Sequence, residues 1–101
     1  MDKIEIEKII IDALKYNSEM ESIEFKDARQ GLPRSTWKTV SAFSHRPGGG
    51  IIVFGIEDDK ANQKINVLGC NNIALLQEKL GDLVNNEMSI TIRPEYHILE
   101  I

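Results

Sequence analysis

The chain has 101 residues, 42% of them hydrophobic and 28% charged, which is enough for one core and one domain over residues 1–101 and too apolar for a disordered segment. It has no apolar run near the ~20 residues that a bilayer span needs, its acid-bearing start MDKIEIEKII is not a secretory leader, and its single cysteine, Cys70, makes neither a disulfide framework nor a cysteine zinc site. The expectation is therefore a cytoplasmic protein without membrane attachment; the formal charge of −4 weighs against a broadly cationic surface, although local charge decides more than the total.

The first predicted element is a helix over residues 2–16. Asp2 is placed to cap it, and Ile6, Ile9, Ile10, Ala13 and Leu14 recur at helical spacing. After a polar break at Asn17, Ser18 and Glu19, the alternation in Ile23, Glu24, Phe25 and Lys26 predicts a half-buried strand, with Ile23 and Phe25 inward. Gly31, Leu32 and Pro33 mark a turn, and Pro33 is suited to open a second helix over residues 34–44. Trp37, Val40 and Phe43 recur every three residues there and are read as its inward face. Pro47, Gly48, Gly49 and Gly50 cannot continue a helix and predict a loop.

Residues 51–56, Ile-Ile-Val-Phe-Gly-Ile, are apolar without alternation, the pattern of a central strand covered on both faces. Glu57, Asp58 and Asp59 end it, and residues 64–68 form a strand paired with it across the polar turn 59–63. Asn71 or Asn72 then caps a helix running to about residue 86, with Ile73, Leu76, Leu80, Leu83 and Val84 inward. Residues 89–92 and 96–101 are read as strands separated by Pro94. The fold expected is α/β (α+β), a small mixed sheet of about 4–6 strands on about three helices. The chain stops inside an apolar run, so a C-terminal continuation with further domains is expected.

Four segments in this order carry a resemblance: Glu19 to Lys26 with its Glu24-Phe25-Lys26; Trp37 to Phe43 with Val40-Ser41-Ala42-Phe43; Pro47 to Asp58, where glycines lead into a strand closing in Gly55-Ile56-Glu57-Asp58; and Val67-Leu68-Gly69. Together they resemble the Schlafen AlbA-like domain, also labelled a divergent AAA or DNA-binding domain. His45 stands where that family usually has an asparagine, and Arg46 follows it. The resemblance implies a nucleic-acid-binding regulatory module found in bacterial and archaeal transcriptional regulators. It also implies a second activity, that of the animal Schlafen proteins, which cut structured RNA such as tRNA with three carboxylates. Those carboxylates match Glu19, Glu24 and Asp58 by position.

Three oxygen ligands with open positions suit Mg²⁺ or Mn²⁺, so Glu19, Glu24 and Asp58 are candidate catalytic and metal-binding residues; solvated acids at strand ends are the plainer alternative. For contact with DNA or structured RNA the candidates are Lys26, Arg34, Lys38 and Arg46 with the loop glycines Gly48, Gly49 and Gly50. Arg34 and Lys38 are four apart and share a helix face. Nucleotide binding, the third reading, rests on the AAA label alone. The glycines precede a strand and no Gly-Lys-Ser/Thr follows, so no P-loop is present. Trp37, Phe43 and Phe54 are placed in the core and not as base-stacking platforms, and Cys70 is read as a small buried residue. A homodimer is compatible with all of these readings.

Overall fold

The computed structural model describes residues 2–16, 22–88 and 93–100. The elements run α1 (Lys3–Lys15), β1 (Ile23–Lys26), α2 (Thr36–Ser44), β2 (Ile51–Phe54), β3 (Ile56–Asp59), β4 (Lys64–Val67) and α3 (Ile73–Asp82), with a π-helical turn at Leu83–Glu87. This is the expected α+β class, with strands paired both ways. Among the described residues the four strands form two pairs rather than one sheet: β1 runs parallel to β2, and β3 antiparallel to β4.

Helix α1 begins where Asp2 accepts the Glu5 amide at 2.9 Å, which satisfies one of the donors that every helix start leaves open. Its Ile6, Ile10 and Ala13 are buried against Ile23 and Phe25 of β1 and Ile56 of β3, with Ile9, Leu14, Ile51, Val53, Ile65 and Leu99 packed around them. A second cluster lies under α3, where Leu80, Leu83 and Val84 meet Leu32, Val40 and Phe54. Asn72 caps α3 by accepting the Leu75 amide at 3.0 Å. Ile73, expected inward, is 38% exposed, because the first helical turn lies beyond the edge of the cluster that begins at Leu80.

Helix α2 connects β1 to β2, as a parallel pair requires. Its register differs from the expected one. Thr36, 1% exposed, occupies the buried position, and its hydroxyl donates to the Pro33 carbonyl at 2.7 Å. Trp37 is 50% exposed. At ~100° per residue, positions spaced by three drift by about 60° per step, so Trp37 and Phe43 are ~120° apart and share no face. Thr36, Val40 and Phe43 fall within ~60° of one another, and that is the side turned inward.

The apolar run 51–56 is not one strand. It breaks at Gly55, which has φ +97°, and β2 is half-buried along its length rather than covered on both faces. The Gly55 N–H donates to the Lys26 carbonyl at 2.8 Å, and its carbonyl accepts the amides of Leu68 and Gly69 at 2.8 and 2.9 Å. One residue thus joins the end of the parallel pair to the end of the hairpin. The hairpin turn is held by Asp59, whose carboxylate accepts both the amide and the side-chain Nδ2 of Asn62. Those bonds keep the Asp59 pKa below the usual carboxylate range.

The predicted strand at 89–92 lies outside the described residues. Over 96–100 the chain adopts no regular structure, although Leu99 still packs on the first core cluster. Tyr96 and Ile98 are 43% and 53% exposed, so this run lacks the buried face that would fix a strand register.

A side chain at position 55 would need a backbone conformation that only glycine adopts easily, and its Cβ would sit 2.9 Å from the Gly69 carbonyl carbon. Gly55→Ala is expected to lower unfolding free energy by about 2–3 kcal/mol. Gly81→Ala, in α3 with open space around its Cβ, should raise it by about 0.5–1 kcal/mol. Urea denaturation of the two variants beside the parent checks both signs.

Candidate functional site

The ends of β1 and β3 pack together and open a cleft of about 300 Å³ lined by Glu24, Phe25, Asp27, Glu57, Asp58 and Lys60. Backbone alternation explains part of this lining. Ile23 and Phe25 point into the core and turn Glu24 to the opposite side, and the strand then ends with Asp27 at its mouth. On β3, Ile56 is buried while Glu57 and Asp58 remain partly exposed. Glu24 and Asp58, both read from the sequence as candidate ligands, therefore line one cleft. Glu19 lies outside the described residues.

Two further acids, Asp27 and Glu57, were not singled out in the sequence, and both are engaged by Arg29. The guanidinium of Arg29 donates from Nη2 to Asp27 Oδ2 at 2.8 Å and from Nε to both Asp27 oxygens, and its Nη2 lies 3.6 Å from Glu57 Oε2. Asn66 donates to the other Glu57 oxygen at 3.0 Å. The Arg29 carbonyl in turn accepts Asn71 Nδ2 at 3.1 Å, which ties this loop to the start of α3. The only advance signal for the pairing is the Asp-x-Arg spacing at 27–29. Among the described residues no group of three His, Cys, Asp or Glu side chains is arranged to hold a metal ion, so they do not by themselves make a metal centre.

Lys26, expected as a phosphate contact, is 9% exposed, and its ammonium donates to Ser35 Oγ at 3.0 Å. It fastens the segment leading into α2 to the end of β1 and does not face solvent. Lys38 is exposed on α2, and Arg34 is exposed in the turn just before the N-cap Ser35, so the two do not share a face within the helix as expected. Arg46 is partly exposed just past the helix end, beside His45, whose Nδ1–H donates to the Ser41 carbonyl at 2.8 Å.

The loop glycines have two kinds of surroundings. Gly48 and Gly49 have φ of +82° and +69° and shape the turn, and the Gly49 amide already donates to the Arg46 carbonyl at 2.9 Å. Gly50 lies over the Phe43 ring, whose atoms would be 2.4–2.6 Å from a Cβ. The loop therefore works as a tight turn whose backbone is partly committed to its own hydrogen bonds. Cys70 is partly buried and burial pushes its thiol pKa up, which favours the neutral thiol over a nucleophilic thiolate.

The Arg29 pairing holds the Asp27 carboxyl below the usual carboxylate range, chiefly through the side-chain hydrogen bonds from Arg29. Arg29→Ala should return Asp27 toward its ordinary pKa of ~3.9, followed by carboxyl ¹³C chemical shift against pH. Because the folded-state pKa is depressed, the stabilisation is full above the unfolded pKa and is lost as pH falls through the folded one. The stability gap between parent and Arg29→Ala should thus narrow below about pH 4. An Asp27 that titrates identically in both proteins would show that Arg29 does not hold it.

None of the described helices is long and apolar enough to cross a membrane. Comparison with curated proteins and with solved structures finds no match. The family model described as "Schlafen, AlbA_2" matches residues 19–101, which include every strand, α2 and α3, while α1 outside that range supplies Ile6, Ile10 and Ala13 to the same core. Membership of this family points to interaction with nucleic acid. With most of its length matched, the chain belongs to the Schlafen AlbA_2 family.

Proposed function

We propose that this chain is a nucleic-acid-binding regulatory module of the kind that serves transcriptional regulators, and that it binds through the α2 side of the domain. The observation that carries this reading is the exposure of two cations, Arg34 just ahead of α2 and Lys38 on it, with Arg46 partly exposed past the far end of the helix. Among the described residues, neither Arg34 nor Lys38 has a carboxylate partner. Cations left without acids on an acidic protein form a local positive field, and that field is what a phosphate backbone senses at close range.

Fluorescence anisotropy of a labelled DNA duplex and a labelled stem-loop RNA, titrated at two salt concentrations, tests the proposal. Two to three phosphate contacts predict a slope of log K against log salt of about −2 to −3. Arg34→Ala and Lys38→Ala should each flatten that slope by about 1. Binding that ignores salt, or no binding, would remove the proposal.

A second reading, metal-dependent cleavage of structured RNA by Glu19, Glu24 and Asp58 with Mg²⁺ or Mn²⁺, is favoured by one observation: Glu24 and Asp58 line the same cleft. Its test is loss of intact tRNA in the presence of Mn²⁺, compared between the parent and Glu24→Gln. Cleavage by the parent with a drop of about 100-fold or more in the variant is the expected result for a ligand carboxylate. Equal loss with both proteins, or none with either, excludes it.

A further inference from the structure

Helix α2 exposes the one tryptophan of the chain. Trp37 is 50% exposed, although an indole offers roughly 150–250 Å² for burial. A lone exposed apolar residue is ordinary and needs no explanation. Trp37 is distinguished by its neighbours. The Lys38 ammonium lies 5.7 Å from the centroid of its ring, within reach of a cation–π contact. Arg34 is exposed in the turn just ahead of α2, three residues before Trp37. The whole stretch from Ala28 to Ile56 contains no Asp or Glu and carries Arg29, Arg34, Lys38 and Arg46. Of these, Arg29 is committed to Asp27 and Glu57 and Arg46 has an interaction of its own, so it is Arg34 and Lys38 that set exposed positive charge around the aromatic ring.

Resting on the nucleic-acid reading above, we infer that Trp37 is a stacking platform for an unpaired base, with Arg34 and Lys38 holding the flanking phosphates, so that the α2 surface favours single-stranded or looped nucleic acid over duplex. The chemistry follows from the components. A base in a duplex is already stacked on both faces and offers an indole nothing but its edges, whereas an unpaired base presents an open π-face. Every base has such a face, so the preference is for strand state and not for sequence. A base that takes that place displaces the Lys38 ammonium from over the ring and leaves its charge beside the stacked base, where the adjoining phosphate lies. A protein partner would serve the exposed indole equally well, but it would leave two unpaired cations to be matched by acids. A nucleic-acid strand supplies aromatic face and negative charge together, at the spacing of neighbouring groups on one strand.

Because Trp37 is the sole tryptophan, its fluorescence reads the contact directly. The protein and its Trp37→Ala, Trp37→Phe and Arg34→Ala variants are titrated with oligothymidylate and with a duplex of equal length, following both indole fluorescence and anisotropy of a labelled oligonucleotide. Oligothymidylate should quench Trp37, and Trp37→Ala should weaken single-strand binding about 5- to 100-fold while leaving duplex binding nearly unchanged. Trp37→Phe should retain much of the affinity, and Arg34→Ala should weaken binding while keeping the quenching. Single-strand binding as tight in Trp37→Ala as in the parent, or binding seen by anisotropy without any change in indole emission, overturns the platform and leaves the nucleic-acid reading standing. Failure of every oligonucleotide to bind removes that reading and the platform with it. Indole emission that shifts with protein concentration alone would place a second copy of the chain on Trp37 and overturn the inference. Far-UV circular dichroism checks each variant's fold, and the phenylalanine and arginine variants keep the test decisive if Trp37→Ala does not fold.

Discussion

The structure depends on the backbone of Gly55. A strand that pairs with β1 cannot, in the same straight run, also present its next residues to β4, because the two partners lie at its opposite ends and run in opposite senses. The positive φ at Gly55 bends the run between these tasks, and its N–H and carbonyl are both hydrogen-bonded across the bend, to Lys26 on one side and to Leu68 and Gly69 on the other. Both backbone groups of Gly55 are therefore paired, which is the condition for placing a bend inside a core. The close approach of Gly69 and Cys70 then fills the space where any other residue would carry a side chain.

That bend also makes the cleft. It brings Glu57 and Asp58 of β3 to the same opening as Glu24 and Asp27 of β1, an accumulation of negative charge that a two-stranded pair alone would not produce. Like charges held close oppose one another, and Arg29 offsets part of this by engaging Asp27 and Glu57 together. Arg29 is itself positioned from α3 through the Asn71 contact with its carbonyl. Glu24 and Asp58 are thereby left as the two cleft acids outside the Arg29 network, in a lining that also holds Lys60.

Much of the element order was legible because local chemistry determines it. Asp2 and Asn72 cap the helices expected of them, Ile23 and Phe25 alternate inward, and the 59–63 turn closes the hairpin. Failures occurred where a local pattern had two outcomes of similar merit. An apolar run of six suits one buried strand or two short ones, and only the tertiary partners of Gly55 decide between them. Residues spaced by three suggest a helical face, yet the 3.6-residue repeat turns Trp37 away from Phe43 and gives the buried place to Thr36. Lys26 looks like a surface cation in a strand of alternating polarity, and its burial required Ser35, nine residues on, as a hydrogen-bond partner. In the cleft, Glu24 and Asp58 were recognisable from the family pattern, but the engagement of Asp27 and Glu57 by one arginine depends on distances that no one-dimensional spacing contains.

The partition of charge bears on how a polyanion would approach. A net charge of −4 spread evenly would repel nucleic acid from every side, but here acids gather at the cleft while the 28–56 stretch has none. At physiological salt the screening length is about 8 Å, so a strand near α2 responds mainly to Arg34 and Lys38 and only weakly to the more distant acids. The two regions are nevertheless mechanically joined, since Lys26, two residues beyond Glu24, fastens β1 to Ser35 beside Arg34. On the proposed reading, phosphates of a strand that entered the cleft would meet Glu24 and Asp58, with Lys60 the cationic side chain in the lining. Binding and cutting therefore make different electrostatic demands on this domain. The exposed cations around α2 suit the first, whereas the second needs positive charge beyond that of Lys60 and Arg29 beside the four cleft acids.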